Sequence, residues 1–239
     1  MTSIGRGVAI ITGASSGIGL ACSKAFLAAG FEVVGLARDF SKMGLDHSNL
    51  RKECLDLSCS DAIQRSLPSI LNSLTEPLKV LVCNAGIGKI GYLEQLAIAD
   101  IEKVLATNLL GHILITKYCL PVLKQQNECS DLIFIGSESA RRGGKEGSVY
   151  SASKFGLRGF AQSLRSECAK AGVRVNLINP GAVRSSFFDD LHFEPGPANE
   201  HAIFPADVAT MALTAVNLRA GTVLDEINMS PLTKVWQSK

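Results

Sequence analysis

The chain has 239 residues, of which 46% are hydrophobic and 19% are charged, and its formal net charge is +2 at pH 7. This composition is typical of a folded domain with a large core and excludes a disordered or fibrous chain. The nearly balanced charge provides no long-range attraction to nucleic acid or anionic membranes, so we expect a small-molecule partner.

The seven cysteines are scattered and form no CxxC pair, which is typical of reduced thiols in a cytoplasmic protein. The first apolar run, VAII, is too short for the core of a signal peptide, and no later run approaches the length of a membrane span. The four histidines lack metal-ligand spacing. We therefore expect a cytoplasmic protein that binds no metal ion.

Short β-branched segments alternate with longer amphipathic segments along the chain. The predicted strands, in chain order, are VAIIT, FEVVGLA, KVLVCNAG, DLIFIGS and VRVNLINPG. The predicted helices are 17–29, 60–74, 99–126, 150–171 and 205–218. Strands that are apolar throughout are typical of a parallel sheet covered on both faces. The pattern predicts an α/β fold over residues 1–239 as a single domain, with one doubly wound parallel sheet in a Rossmann-like three-layer α/β/α arrangement.

The first predicted strand runs into the glycine-rich segment TGASSGIG, and a predicted helix follows directly. In such a turn Gly13 allows the tight bend, Gly17 lets the backbone approach a pyrophosphate, and Gly19 lets helix and strand pack closely. The N–H groups of the helix start attract phosphate. The spacing is GxxxGxG rather than GxGxxG, and glycines that only form a tight turn are the alternative.

The end of the second predicted strand indicates which nicotinamide cofactor is preferred. Dinucleotide folds often place an acid there to bind the adenosine ribose, but this chain has Ala37 followed by Arg38. A guanidinium binds a ribose 2′-phosphate that an acid would repel, and Ser15 or Ser16 can add a hydroxyl. We therefore predict that NADP(H) is preferred, with a solvated loop arginine as the alternative.

Tyr150 and Lys154 are four residues apart in a predicted helix, so both side chains lie on one helical face. A phenol has a pKa of about 10, and a nearby ammonium group together with a cationic oxidised nicotinamide lowers it towards the range useful for acid–base catalysis. A tyrosine and a lysine at this spacing are more commonly a surface pair. The meaning of the pair therefore depends on the other motifs.

Six motifs occur in one order: TGASSGIG, NAG from Asn84, NLLG from Asn108, GSES containing Ser137, YSASK, and NPGAVRSS from Asn179. Together they resemble the short-chain dehydrogenase/reductase family over essentially the whole chain. The resemblance implies NAD(P)-dependent interconversion of carbonyls and alcohols, with Tyr150 as acid–base and Ser137 positioning the substrate oxygen. It further implies that Lys154 binds the nicotinamide ribose and lowers the tyrosine pKa, and that Asn108 supports a water-linked proton relay.

The same resemblance implies a set of cofactor-binding residues. It places the pyrophosphate at Gly13, Ser15, Gly17, Ile18 and Gly19, the adenine at Asp56 and Leu57, the adenosine-to-ribose stretch at Asn84, Ala85 and Gly86, and the nicotinamide at Pro180, Gly181, Val183 and Ser185. Asp56 has a second interpretation as a turn or helix-capping acid. Ser185 replaces the usual threonine and keeps its hydroxyl. Ser16 stands where many NADPH-dependent members have a basic residue, so phosphate recognition is expected to rest mainly on Arg38.

Two features leave the substrate and even the activity open. The ending LDEINMSPLTKVWQSK is similar to that of a bacterial subgroup of NADP-dependent reductases that includes 3-hydroxy acid dehydrogenases. Arg141 and Arg142 either are solvated or bind a carboxylate, and the latter would favour a 3-hydroxy acid or hydroxy amino acid dehydrogenase. A noncatalytic NADPH-binding sensor or scaffold is the third alternative, because a fold does not prove activity.

The long helices, about 100–124 and 150–171, are the elements through which family relatives commonly pair. The resemblance therefore predicts a homodimer or homotetramer. The apolar runs LLGHILITKYCL and FGLRGFAQSL fit such pairing and fit equally well burial against the chain's own sheet.

Overall fold

The computed structural model describes residues 6–126 and 128–239 and contains a central parallel β-sheet. The strands are β1 (Val8–Thr12), β2 (Glu32–Ala37), β3 (Leu50–Cys54), β4 (Leu78–Cys83), β5 (Ser130–Ile135), β6 (Val173–Pro180), β7 (Phe193–Pro195), β8 (Glu226–Met229) and β9 (Trp236–Ser238). The seven-stranded sheet has the order β3-β2-β1-β4-β5-β6-β8, with all neighbours parallel. Strands β7 and β9 form a separate antiparallel pair.

The predicted helices are all present, with ends displaced by a few residues. The α-helices are α1 (Gly17–Ala28), α2 (Ser60–Asn72), α3 (Ile98–Leu105), α4 (Gly111–Lys124), α5 (Ser148–Cys168) and α6 (Pro205–Asn217). One difference is that the helix predicted over 99–126 is divided, since a π-helical segment, Ala106–Leu110, separates α3 from α4. Within the described ranges, no helix has both the length and the apolar character needed to cross a bilayer.

The core has two layers, one on each face of the sheet. Helices α2, α4 and α5 pack on one face, where Leu67 and Leu157 are fully buried. Helices α1 and α6 pack on the other face through residues such as Phe26 and Val208. The predicted three-layer, doubly wound α/β fold is therefore confirmed.

Four strands were not predicted, and their sequences explain why. β3 has the sequence LRKEC and β8 has the sequence EINM; both are edge strands with one neighbour each in the large sheet. An edge strand is less enclosed and needs no continuous apolar run. Strands β7 and β9 have three residues each, too few for a periodic pattern.

The strand order positions the main crevice. From β1 the chain builds outward through β2 and β3 to one edge, whereas β4, β5, β6 and β8 extend to the other. The segments that leave the carboxyl ends of β1 and β4 therefore diverge. In open α/β sheets, ligands bind at this point of reversal.

A buried ion pair joins β5 and β6 at the end of the sheet away from the crevice. Arg174 Nη2 donates to Asp131 Oδ2 at 2.6 Å, and the two side chains are only 7% and 2% exposed. Burial raises the pKa of the Asp131 carboxyl, an effect that the hydrogen bond from Arg174 opposes. Arg174 also donates to the carbonyl groups of Val216 and Leu218, at the end of α6. One guanidinium thus connects two strands and a helix.

We expect Arg174→Ala to lower the free energy of unfolding by about 3–5 kcal/mol, because it leaves the Asp131 carboxylate buried without its partner. Urea denaturation measures this loss. The control is Arg165→Ala, which removes a surface pair with Asp225 and should cost less than about 1 kcal/mol. Equal losses in the two variants would contradict a structural role for the buried pair.

Candidate active site

A cavity of about 840 Å³ opens at the carboxyl edge of the sheet, where the strand order reverses. It brings together nearly all residues predicted from the sequence. Those that line it are Gly13, Ser15, Ser16, Gly17, Ile18, Arg38, Asp56, Leu57, Asn84, Ala85, Gly86, Ser137, Tyr150, Lys154, Pro180, Gly181, Val183 and Ser185. Gly19 and Asn108 do not line the cavity.

The glycine-rich turn between β1 and α1 forms one side of the cavity. Gly13 has φ = 67°, a conformation that favours glycine. A Cβ on Gly19 would lie 2.1 Å from the Gly13 carbonyl oxygen, so Gly19 acts through close packing. The N-cap residue Ser16 makes no side-chain capping hydrogen bond, and the first turn of α1 carries no acid. The residues present fit a pyrophosphate held by backbone N–H groups.

Thr12, which sequence reasoning missed, joins the two sides of the crevice. Its hydroxyl oxygen accepts hydrogen bonds from the backbone N–H groups of Asn84 at 2.8 Å and Ala85 at 2.9 Å. The Asn84 amide in turn donates to the Thr12 carbonyl at 2.8 Å. The Asn84 side chain therefore fixes the crevice rather than projecting freely into it.

His112 holds the same segment through a hydrogen bond to its backbone. Its Nε2 lies 2.7 Å from the Ala85 carbonyl oxygen. Burial lowers the pKa of His112 to about 3, with a smaller contribution from the charge of Lys154. The ring is neutral at physiological pH, and because a carbonyl only accepts, Nε2 carries the proton. The histidine thus acts as a buried hydrogen-bond donor.

The adenosine end of the predicted site carries two cations. Arg38 is exposed and lines the cavity, as does Lys103 on α3, which sequence reasoning missed. Asp56 accepts hydrogen bonds from the Ser58 N–H at 2.9 Å and hydroxyl at 2.7 Å, as the turn-acid interpretation expects, and its contact with adenine stays a prediction. Partial burial raises the Asp56 pKa, but these hydrogen bonds and the charges of Arg38 and Lys103 lower it overall.

Helix α5 brings Tyr150 and Lys154 to the cavity on one face, as predicted. Lys154 is 4% exposed, and its Nζ donates to the Ile135 carbonyl at 3.0 Å. Its Nζ lies 5.9 Å from the centroid of the Tyr150 ring. The Ser137 side chain lies close enough to the Tyr150 phenol to affect its pKa, and its hydroxyl oxygen accepts from the Ser139 N–H at 3.1 Å. A hydroxyl, a phenol and an ammonium group thus meet at the end of β5.

The predicted lowering of the Tyr150 pKa depends on Lys154 together with an oxidised nicotinamide, and it stays a prediction for the cofactor-bound protein. In the described structure, loss of hydration raises the pKa to about 12, an effect that the nearby Ser137 hydroxyl opposes and the charge of Glu138 increases. Burial also lowers the pKa of Lys154 to about 8. Lys154 donates to the Ile135 carbonyl, and its ammonium group does not appreciably lower the Tyr150 pKa in the described structure.

Asn108 lies in the π-helical segment and is fully buried. Its side chain pairs with the backbone of Ile87, accepting from N–H and donating to C=O at 2.9 Å each. It also donates to Ser153 Oγ, which itself donates to the Tyr150 carbonyl at 2.6 Å. Asn108 therefore links the segment after β4 to the first turn of α5. Its role in a proton relay stays a prediction.

Arg141 and Arg142 are exposed and do not line the cavity. Arg141 instead lies 4.0 Å from the Glu226 carboxylate on β8. The suggestion that these arginines bind a substrate carboxylate is therefore not supported by their position. Groups of three or more His, Cys, Asp or Glu side chains that could hold a metal ion are absent from residues 6–126 and 128–239.

The far end of the cavity is lined by residues that sequence reasoning did not single out. They are Phe187, Phe188, Phe193, Lys234 and Trp236, together with Glu138 and Ile90. The segment SSFFDDLHF after β6 carries an aromatic cluster that offered a signal for three of them. Trp236 offered none, because its position depends on the pairing of β9 with the distant β7.

Comparisons with known proteins agree with this geometry. Residues 7–194 match the family model described as short chain dehydrogenase. The chain is 33% identical over 190 residues to human 3-oxoacyl-[acyl-carrier-protein] reductase, covering 78% of this chain and 80% of that protein. It is 28% identical over 240 residues to sepiapterin reductase of Chlorobaculum tepidum, covering 94% and 96%. A solved metagenomic short-chain oxidoreductase in complex with NADP is 28% identical, with a TM-score of 0.80 and coverage of 98% of this chain and 100% of that one.

The raised pKa of Tyr150 predicts how the unliganded protein titrates. Ordinary tyrosines ionise at a pH of about 10, whereas Tyr150 should keep its proton there because burial disfavours the phenolate. The phenolate absorbance of the wild type should therefore match that of Tyr150→Phe up to about pH 10.5. An additional phenolate signal in the wild type at or below about pH 10 would contradict the described environment.

Proposed function

The chain belongs to the short-chain dehydrogenase/reductase family, and from that membership we propose that it is an NADP(H)-dependent oxidoreductase that interconverts a carbonyl and a secondary alcohol. The observation that carries the proposal is the convergence of Ser137, Tyr150 and Lys154 with the glycine-rich turn in one cavity. When bound, the nicotinamide supplies or accepts the hydride. The chain's own residues bind, orient and move the proton.

Tyr150 is the proposed acid–base residue. In reduction it donates its hydroxyl proton to the carbonyl oxygen, and in oxidation it takes the alcohol proton back. Because its pKa is raised to about 12, it is protonated at neutral pH, which is the state that reduction requires. Ser137, which lies beside Tyr150, orients the substrate oxygen. Lys154 holds the nicotinamide ribose, and the charge of an oxidised nicotinamide favours the phenolate needed for oxidation.

The charges at the adenosine end support NADP(H) over NAD(H). Ala37 provides no carboxylate, and both Arg38 and Lys103 line the cavity. The neighbouring acid, Asp39, accepts hydrogen bonds from the Ser41 N–H at 2.8 Å and hydroxyl at 2.6 Å and does not line the cavity. A 2′-phosphate would thus meet two cations. Lys103 thus joins Arg38, on which recognition was expected mainly to rest.

We also propose that the protein pairs into a homodimer or homotetramer. The exposed apolar side chains Leu105, Leu110 and Phe155 belong to the two long helical regions for which pairing was predicted, and they support this assembly. Sedimentation at several concentrations measures it. A single domain over residues 1–239 and a cytoplasmic location also stay predictions.

Replacing Tyr150 by Phe should lower kcat at least about a hundredfold, because the general acid is removed. Binding of NADPH should change little, since the ring is kept. Turnover is followed by nicotinamide absorbance, and binding by NADPH fluorescence. The control is Tyr118→Phe, which removes a phenol on α4 that does not line the cavity. A Tyr150→Phe enzyme with near wild-type kcat would refute the assigned role.

Replacing Arg38 by Ala should weaken NADPH binding roughly tenfold to a hundredfold, while NADH binding changes much less. Lys103→Ala should act in the same direction, and the double variant should lose the preference. Lys170→Ala is the control for net charge, because Lys170 is exposed and does not line the cavity. Wild-type protein that binds NADH as tightly as NADPH would contradict the proposal.

A further inference from the structure

Four aromatic rings line the end of the cavity next to Tyr150, and we call them the aromatic wall: Phe187, Phe188, Phe193 and Trp236. The Phe187 ring centroid lies 5.7 Å from that of Tyr150 and 5.3 Å from that of Phe188. Phe188 and Phe193 lie 5.9 Å and 5.2 Å from Trp236. A continuous series of ring contacts therefore extends from the proposed acid–base residue to the C-terminal segment.

Backbone pairing fixes the position of the wall. β7 and β9 are antiparallel, with Phe193 opposite Ser238 and Pro195 opposite Trp236. Outside that ladder, the Gly196 N–H donates to the Val235 carbonyl at 2.9 Å. The C-terminal segment thus forms a strap across the loop that follows β6. Trp236, which lies in this segment, therefore lines the cavity.

The charged side chains at this end are largely paired with one another. Lys234 Nζ donates to Glu138 Oε1 at 2.6 Å. Lys89 lies 3.5 Å from an Asp100 oxygen. Two of the cations that line the cavity at this end, Lys234 and Lys89, thus each have a carboxylate beside them.

His192 and Lys145 are the remaining basic side chains that line the cavity at this end. His192 lies 3.5 Å from a Glu146 oxygen. Lys145 is exposed, and its Nζ lies 5.4 Å from the centroid of the Tyr92 ring. Apart from the catalytic Lys154, no cation among the described residues lies buried and unpaired at this end. A substrate carboxylate would lose hydration here, and Lys145, the cavity-lining cation without an ion pair at this end among the described residues, is itself exposed to solvent.

We propose, on the premise of the function above, that the substrate is a neutral carbonyl compound whose apolar, aromatic substituent packs against the aromatic wall, with Trp236 as the specificity-determining residue. The wall offers edge and face contacts to a ring and little to a small alkyl group. Ile90 and Leu191 extend the apolar surface beside Phe188. Charged hydroxy acids are therefore disfavoured as substrates.

Trp236 is the chain's single tryptophan, so its fluorescence reports directly on the wall. The probes are 4-acetylbenzoate and its methyl ester, which share one ketone and differ in charge, each titrated against the protein saturated with NADP⁺. The ester should quench the fluorescence with a Kd at least about tenfold lower than that of the acid. Equal or tighter binding of the acid would overturn the proposal.

Turnover with NADPH provides the second measurement, with butanone as the small neutral ketone and the two probes as before. Trp236→Ala should lower the ratio of kcat/KM for the ester to that for butanone about tenfold. The control is Leu232→Ala, since Leu232 is 90% exposed in the same segment and does not line the cavity. An unchanged ratio in Trp236→Ala would overturn the assignment of this residue.

A charge variant tests whether pairing excludes acids. Glu138→Gln releases Lys234 and should raise the acid-to-ester ratio of kcat/KM about tenfold. Glu194→Gln is the matched control, because it releases Lys239, which does not line the cavity. An acid-to-ester ratio unmoved by Glu138→Gln would contradict exclusion by pairing. Ester that binds but is never reduced would refute the proposed function, whereas preference for acids or for a hydroxy amino acid would refute this inference alone.

Discussion

The hydrogen bonds between Thr12 and the segment after β4 are the constraint on which the site depends. They join the carboxyl ends of β1 and β4 at the point where the strand order reverses and the backbone would otherwise separate. His112 and Asn108 hold the same segment at Ala85 and Ile87. Buried hydrogen bonds therefore fix the segment at the base of the cavity, whereas loops form its sides. Such a division between rigid scaffold and adaptable loops suits one chemistry with many substrates.

Burial sets the electrostatics of the catalytic end. It disfavours the charged form of each group, so that it raises the pKa of Tyr150 and lowers that of Lys154. Tyr150 therefore keeps its proton, whereas Lys154 loses its proton more readily than an ordinary lysine. In the proposed reaction, the charge of an oxidised nicotinamide would add to that of Lys154 in favouring the phenolate.

Sequence reasoning succeeded where the relevant geometry is local. The spacing of Tyr150 and Lys154 on one helix, and the turn at Gly13, require only the regular geometry of neighbouring residues. It failed where distant segments meet. Lys103 reaches the end of the cavity that holds Asp56 only through the tertiary placement of α3, and Trp236 enters the cavity only through the pairing of β7 with β9. Neither contact leaves a periodic pattern in the chain. The raised pKa of Tyr150 in the unliganded protein could not be predicted from the sequence, because it depends on burial.

The central claim is that the cavity transfers hydride and proton rather than only binding a nucleotide. The most direct measurement uses NADPH carrying deuterium at the reactive position of the nicotinamide, incubated with the protein and the methyl ester of 4-acetylbenzoate, followed by mass spectrometry of the product. The account predicts one deuterium on the carbinol carbon of the resulting secondary alcohol. Protein that binds NADPH tightly but yields no labelled alcohol from this or any other carbonyl compound would contradict it and indicate a noncatalytic nucleotide sensor.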